Sequence, residues 1–76
     1  MGYEKGEKSM RVEKIINHMM IHDLVAINRI ISKKDGLAEK VWEGEVNDLP
    51  IRYMPRRVEH VRGFNDTLHI YISERK

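Results

Sequence analysis

The sequence predicts an α+β fold in which one N-terminal helix packs on a small antiparallel sheet of about four strands. Three features lead to this prediction: an apolar stripe at helical spacing, two stretches with the pattern of β-hairpins, and a connection between them that carries both prolines. The chain has 76 residues, enough for one compact domain. We therefore expect residues 1–9 to be a flexible lead-in and residues 10–76 to form a single α+β domain.

The predicted helix spans about residues 10–20. Its apolar residues recur at intervals of three and four, which places them along one side of a helix. They are Val12, Ile15, Ile16, Met19 and Met20. Ser9 precedes this stripe and belongs to the residue types that cap helix N-termini. The lead-in carries two glycines and four charged side chains among its first eight residues, a composition that favours a flexible segment.

The first hairpin is predicted from residues 23–46. Residues 23–31 are rich in branched aliphatic side chains, and Lys33 to Gly36 have the composition of a turn. A helix continued through Ile31 is the alternative for residues 21–31, because the apolar residues there also fit a helical period. The second strand, residues 38–46, has Trp42 as a core aromatic and Gly44 as a bulge or a point of close approach.

The last hairpin has the clearest signal in the chain. Residues 58–64 and 67–73 flank Asn65-Asp66, two residues that tolerate left-handed backbone conformations. Pairing Phe64 with Thr67 fixes the register, and strict alternation then divides the side chains between two faces. Val61, Leu68, Ile70 and Ile72 share the predicted core face. The other face carries what we call the aromatic–basic strip: His60, Arg62, Phe64, His69 and Tyr71.

Charge is unevenly distributed, although the chain as a whole is only +2. Residues 35–48 hold five acids against one lysine, a net charge of −4, and residues 49–62 hold four arginines against one glutamate, a net charge of +3. If these segments form neighbouring strands, their charges pair across the sheet and the arginines are neutralised. If they lie apart, the arginines form a free basic patch. The sequence leaves both arrangements open.

Composition also indicates the cellular compartment of the protein. The chain has no cysteine, which excludes a disulfide framework and a thiolate metal site. It has no apolar run near the roughly 20 residues that span a bilayer, and its N-terminus lacks the apolar stretch of a secretion signal. We expect a soluble protein of the cytoplasm with no membrane partner.

The metal-binding and catalytic motifs are weak. His18 and His22 lie four apart, as two zinc ligands on one helix would, with Asp23, His60 and His69 as the only further ligands in view. A pair of histidines near a helix C-terminus is the simpler interpretation. The serines have no nucleophile-elbow pattern, the acids of the second strand suit a solvated edge, and there is no glycine-rich phosphate loop. We therefore predict no metal, no cofactor and no enzymatic activity.

One resemblance adds context. The order of an apolar helix, a strand, the stretch VWEGEVNDLP and the closing DTLHIYIS resembles small uncharacterised proteins carried by phages and prophages of Gram-positive bacteria. The likeness covers roughly residues 12–72. That group includes inhibitors of host defence, anti-CRISPR proteins among them, which act by binding and blocking. The resemblance implies such a role here and carries over no site residue.

The sequence therefore favours a non-enzymatic interaction protein that binds and occludes a host or phage protein, with a defence nuclease as one such target. A second copy of the chain is another partner to be considered. The candidate binding residues are the aromatic–basic strip together with Arg56 and Arg57. The alternative function is nucleic-acid binding, in which Arg52, Arg56, Arg57 and Arg62 neutralise phosphates while an aromatic ring stacks on a base.

Overall fold

The computed structural model describes residues 10–73. It has one short helix, α1 (Val12–Ile16), and four strands, β1 (Leu24–Ser32), β2 (Leu37–Glu45), β3 (Val58–Phe64) and β4 (Thr67–Ile72). Two single-turn 3-10 helices, Val46–Asp48 and Ile51–Tyr53, lie in the connection between β2 and β3. The chain is therefore α+β with a small sheet, as predicted. The lead-in predicted for residues 1–9 lies outside the described residues.

The sheet is mixed, and the prediction of an antiparallel sheet is wrong in this respect. The strand order is β2-β1-β4-β3: β1 pairs with β2 and β3 pairs with β4 in antiparallel hairpins, whereas β1 and β4 run parallel. The central pair contains the most apolar strand segments, Val25–Ile27 and Ile70–Ile72. Burying both in the middle of the sheet requires the two hairpins to meet along β1 and β4.

Residues 24–32 form a strand rather than a helix, which decides the alternative left open by the sequence. The β1–β2 turn occupies residues 33–36, where Gly36 has a φ of +69° and its N–H donates to the Lys33 carbonyl. The β3–β4 turn places Asn65 at a φ of +52° and Asp66 at +64°. Its register matches the prediction, with Phe64 opposite Thr67 and Arg62 opposite His69.

Helix α1 is shorter than predicted. It begins at Val12 with Arg11 rather than Ser9 at the N-cap, and it ends at Ile16. The Asn17 N–H still donates four residues back to the Glu13 carbonyl, but the N–H groups of His18 and Met19 donate three residues back, so the chain tightens into a turn. Met20 is 72% exposed, because the apolar stripe extends beyond the last residue of the helix.

One side of the sheet holds the core. Val25 and Ile27 of β1 are buried against Ile70 and Ile72 of β4. Val12, Ile16, Leu49 and Tyr53 complete the buried cluster. Burying each of the large aliphatic side chains stabilises the fold by about 1.5–3 kcal/mol relative to exposure. Trp42, predicted as a core aromatic, is partly buried and packs on the margin of this core.

Candidate interaction surface

The second face of the sheet is formed by the side chains that alternate with the core residues. The strand registers arrange them in three rows across the sheet. From β2 to β3 the rows are Glu45, Leu24, Thr67, Phe64; then Glu43, Ala26, His69, Arg62; then Lys40, Asn28, Tyr71, His60. We call this surface the open face.

The aromatic–basic strip lies on the β3–β4 half of the open face, where the hairpin register predicts it. The ring centroids of His60 and Tyr71 are 5.6 Å apart, and those of Phe64 and His69 are 6.3 Å apart. Phe64 is 61% exposed. A cleft of about 240 Å³ is lined by Arg62, Phe64, His69 and Tyr71. All four lining residues belong to the strip.

A second cleft, of about 310 Å³, lies at the His60 end of the open face. It is bounded on one side by His60 and Tyr71 and on the other by the β1–β2 hairpin, including Leu37. Lys33 Nζ lies 3.2 Å from Glu59 Oε1, so an ion pair links the hairpin turn to β3 across this cleft. Glu59 lies at a register shift in β3, between Val58 and His60. Tyr71 lines both this cleft and the one beside Arg62.

Arg56 and Arg57 are not part of the open face. Arg56 Nη2 donates to the Ser73 carbonyl at 2.6 Å, and its own carbonyl accepts from the Val12 N–H. Arg57 forms an isolated antiparallel bridge with Arg11, at the start of β3. Arg52 lies over the Tyr53 ring, with its guanidinium carbon 4.9 Å from the ring centroid. Arg52 and Arg56 are thus held in separate local contacts, and Arg57 lies beside Arg11.

The acidic and basic strands lie at opposite edges of the sheet, so the two oppositely charged segments are not neighbours. The acids of β2 are paired locally: Glu39 with Arg29, Glu43 with Lys40 at 2.6 Å, and Glu45 with His22 at 3.0 Å. Within residues 10–73, Arg62 takes part in no ion pair. The open face therefore runs from acidic at β2 to basic at β3.

Glu43 is held in its charged form. Its hydrogen bond with Lys40, together with the Lys40 charge, keeps the pKa of the Glu43 carboxyl below its ordinary value, and His69 contributes less in the same direction. Glu43 is thus a carboxylate at neutral pH. It lies in the same row as Arg62, at the other end of that row.

The contributions of β1 and β2 to the open face are not predicted from the sequence. Ala26 has no exposed surface and Asn28 is 7% exposed, with its Nδ2 lying 3.5 Å from His69 Nδ1. The sequence indicates Lys40 and Glu43 only as parts of a charged strand. Alternation within β1 marks the two β1 residues as one face, but only the parallel pairing of β1 with β4 places that face beside the aromatic–basic strip.

The histidine pair does not have the geometry of a helical metal motif. Because α1 ends at Ile16, His18 and His22 lie in the turn that follows it. His22 contacts Glu45 instead. In the part of the chain that the structure describes, no group of three His, Cys, Asp or Glu side chains is placed to hold a metal ion.

No helix between residues 10 and 73 combines the length and apolar character needed to cross a membrane. Comparisons of this chain with protein-family models, with curated proteins and with solved structures found no match.

Proposed function

We propose that this chain is a non-enzymatic interaction protein of phage or mobile-element type, which binds a host protein in the cytoplasm through the open face and thereby occludes it. The observation that carries the proposal is the gathering of an exposed phenylalanine, a tyrosine and an arginine around one cleft of the open face. Aromatic and arginine side chains are enriched at the energetic centres of protein interfaces.

The position of the core supports this use of the sheet. Val12 and Ile16 share the buried cluster with Val25 and Ile27, and we propose that α1 packs on that side of the sheet. One short helix covers one face only. The two clefts described above are lined by strand residues and the β1–β2 turn, with no residue of α1 or of the β2–β3 connection.

The target class follows from the resemblance to phage and prophage proteins. A host defence nuclease is the target that such an inhibitor would occlude, in the manner of an anti-CRISPR protein. No catalytic residue is part of the proposal. The chain's positive net charge argues against a mechanism that mimics DNA.

Nucleic-acid binding is the second candidate, because Arg62 lies beside Tyr71 and Phe64 with no acidic strand next to it. A phosphate-binding groove needs several such cations along one track. Arg52 and Arg56 are instead held at Tyr53 and at the Ser73 carbonyl. The far edge of the same face carries Glu43 and Glu45. This mixed charge suits a protein surface better than a uniformly negative polymer.

A pull-down from lysate of a Gram-positive host tests the proposal. The bait is the purified protein, and the lysate is used with and without nuclease treatment, followed by elution in a salt gradient. We expect the same host protein from both lysates. Phe64→Ala and Tyr71→Ala should each reduce its recovery about tenfold, the effect of losing an interface anchor worth ~1.4 kcal/mol.

Ile51→Ala is the matched control, because Ile51 is 80% exposed and lies in the β2–β3 connection, away from the open face. It should bind as the unmodified protein does. Recovery of nucleic acid alone, released by roughly a few hundred millimolar salt, would contradict the protein-binding proposal. A captured protein that is insensitive to both open-face variants would contradict it as well.

A further inference from the structure

We propose that the open face is self-complementary and that two copies of this chain associate through it, about a two-fold axis parallel to the strands. The inference rests on the proposed function in one respect only, that the open face is the binding surface of the protein. Its occupant here is a second copy, and its readout needs no host protein.

Symmetry limits how two open faces can meet. In a closed two-fold dimer whose stacked sheets pack with their strands aligned, the axis lies between the sheets and runs close to either the strand direction or its perpendicular. An axis across the strands sets β2 over β2 of the partner. It places Glu43 over Glu43 and Arg62 over Arg62, and only Glu45 then meets an opposite charge, on Lys40. An axis along the strands keeps every row at its own height and exchanges the two edges. Each β2 then lies over the partner's β3.

Charge selects the second arrangement. The middle row runs Glu43, Ala26, His69, Arg62, so exchanging its ends places Glu43 of one copy over Arg62 of the other, twice per dimer. Arg62 lines the cleft that also contains Phe64, His69 and Tyr71. The carboxylate therefore meets a cleft bearing an arginine that, within residues 10–73, takes part in no ion pair. Opposite charges arranged in this way fix orientation and register.

Side-chain size agrees with the same axis. The rotation lays each β1 over the partner's β4. On the open face β1 presents Ala26 and Asn28, which are buried below their neighbours, whereas β4 presents the bulkier His69 and Tyr71. Large side chains of one copy thus face small ones of the other. Alternation of this kind lets two sheets pack closely.

The interface is small. Four strands about 4.8 Å apart and six residues of about 3.4 Å rise give a flat area of ~400 Å² per copy. A standard stable interface buries roughly 800 Å² per partner. We therefore expect a weak dimer with micromolar dissociation, sensitive to salt because charge sets its geometry. A host protein that takes the open face would have to displace the second copy.

Sedimentation velocity on the purified protein tests the dimer, over roughly 5–500 µM, a range suited to weak, micromolar association. The unmodified chain should shift from monomer toward dimer as its concentration rises. Arg62→Glu and Glu43→Arg should each be monomeric, because each places like charges face to face. An equimolar mixture of the two variants should associate again, since every facing pair is then of opposite sign. Arg57→Glu is the matched control outside the open face and should associate normally.

Circular dichroism of each variant establishes that it is folded. The chain carrying both Glu43→Arg and Arg62→Glu has the composition of the unmodified protein and should recover self-association. Two results would overturn the proposal. The first is an unmodified chain that stays monomeric, and this holds whether the open face then binds a host protein or single-stranded DNA. The second is an association that neither single variant weakens. Neither result bears on whether Phe64→Ala loses a host protein, so the dimer and the proposed function fail separately.

Discussion

Gly44 occupies a position in β2 where a side chain has no room. A Cβ built there would lie 2.9 Å from Trp42 Cζ2 and 3.0 Å from Cη2, closer than packed atoms allow. The indole ring of Trp42 thus covers the glycine, and the two residues together close the β2 margin of the core. The sequence allows Gly44 to be either a bulge or a point of close approach, and the structure shows the close approach.

Gly44→Ala should therefore destabilise the fold by about 1–3 kcal/mol, because the Trp42 ring must move out of its packed position. The free energy of unfolding measured in urea reports this change. Gly63→Ala is the matched control, since a Cβ at Gly63 meets no atom within 4 Å and the residue also lies in a strand. It should change stability by less than about 0.5 kcal/mol. Equal effects of the two substitutions would show that Trp42 does not occupy this position.

Two isoleucines differ in burial, and we expect their substitutions to differ in their effect on stability. Ile70 has no exposed surface and lies at the centre of the core cluster, whereas Ile51 is 80% exposed. We expect Ile70→Ala to cost about 2–5 kcal/mol of unfolding free energy and Ile51→Ala less than about 0.5 kcal/mol. Urea denaturation of the two variants measures both. A small loss at Ile70 would contradict its place in the core.

At the level of elements, the β3–β4 turn holds its two central residues in the left-handed region. Asn65 and Asp66 adopt this conformation at low cost, whereas a β-branched residue does so with strain. Asp66→Val should therefore destabilise the fold by about 1–2 kcal/mol. Lys34→Val in the β1–β2 turn is the control, because Lys34 has no positive φ. The difference in thermal midpoint between the variants tests the turn, and similar midpoints would contradict its geometry.

The two hairpins show how far local signals reach. Asn65-Asp66 and Gly36 mark both turns, and alternation with a two-residue loop fixes the β3–β4 register from Phe64 to His60, up to the register shift at Glu59. Helix α1 shows where such signals stop. Met19 and Met20 continue the apolar stripe, but after Ile16 the chain must turn to begin β1 at Leu24, and this tertiary demand overrides the helical pattern.

At the level of the whole molecule, the pairing between the two hairpins determines which side chains share a surface. The parallel pairing of β1 with β4 involves residues more than 40 positions apart, such as Ala26 and His69, and no local pattern signals it. The aromatic–basic strip follows from the hairpin register alone. The position of the acidic edge does not follow from the hairpin register, because it depends on β2 lying at the opposite edge of the sheet. The sequence makes Arg56 and Arg57 candidates because they form a charged pair directly after Pro55, and the fold places them just before β3, outside the three rows of the open face.

The central claim is that the open face is the surface through which this protein binds. The most direct test is to record ¹⁵N–¹H correlation spectra of the labelled protein while host protein captured from nuclease-treated lysate is added in substoichiometric amounts. The account predicts that the amide signals of Ala26, Arg62, His69 and Tyr71 change first, while those of Ile51–Tyr53 in the β2–β3 connection stay in place. Changes confined to the connection and to α1, with β3 and β4 unaffected, would contradict it.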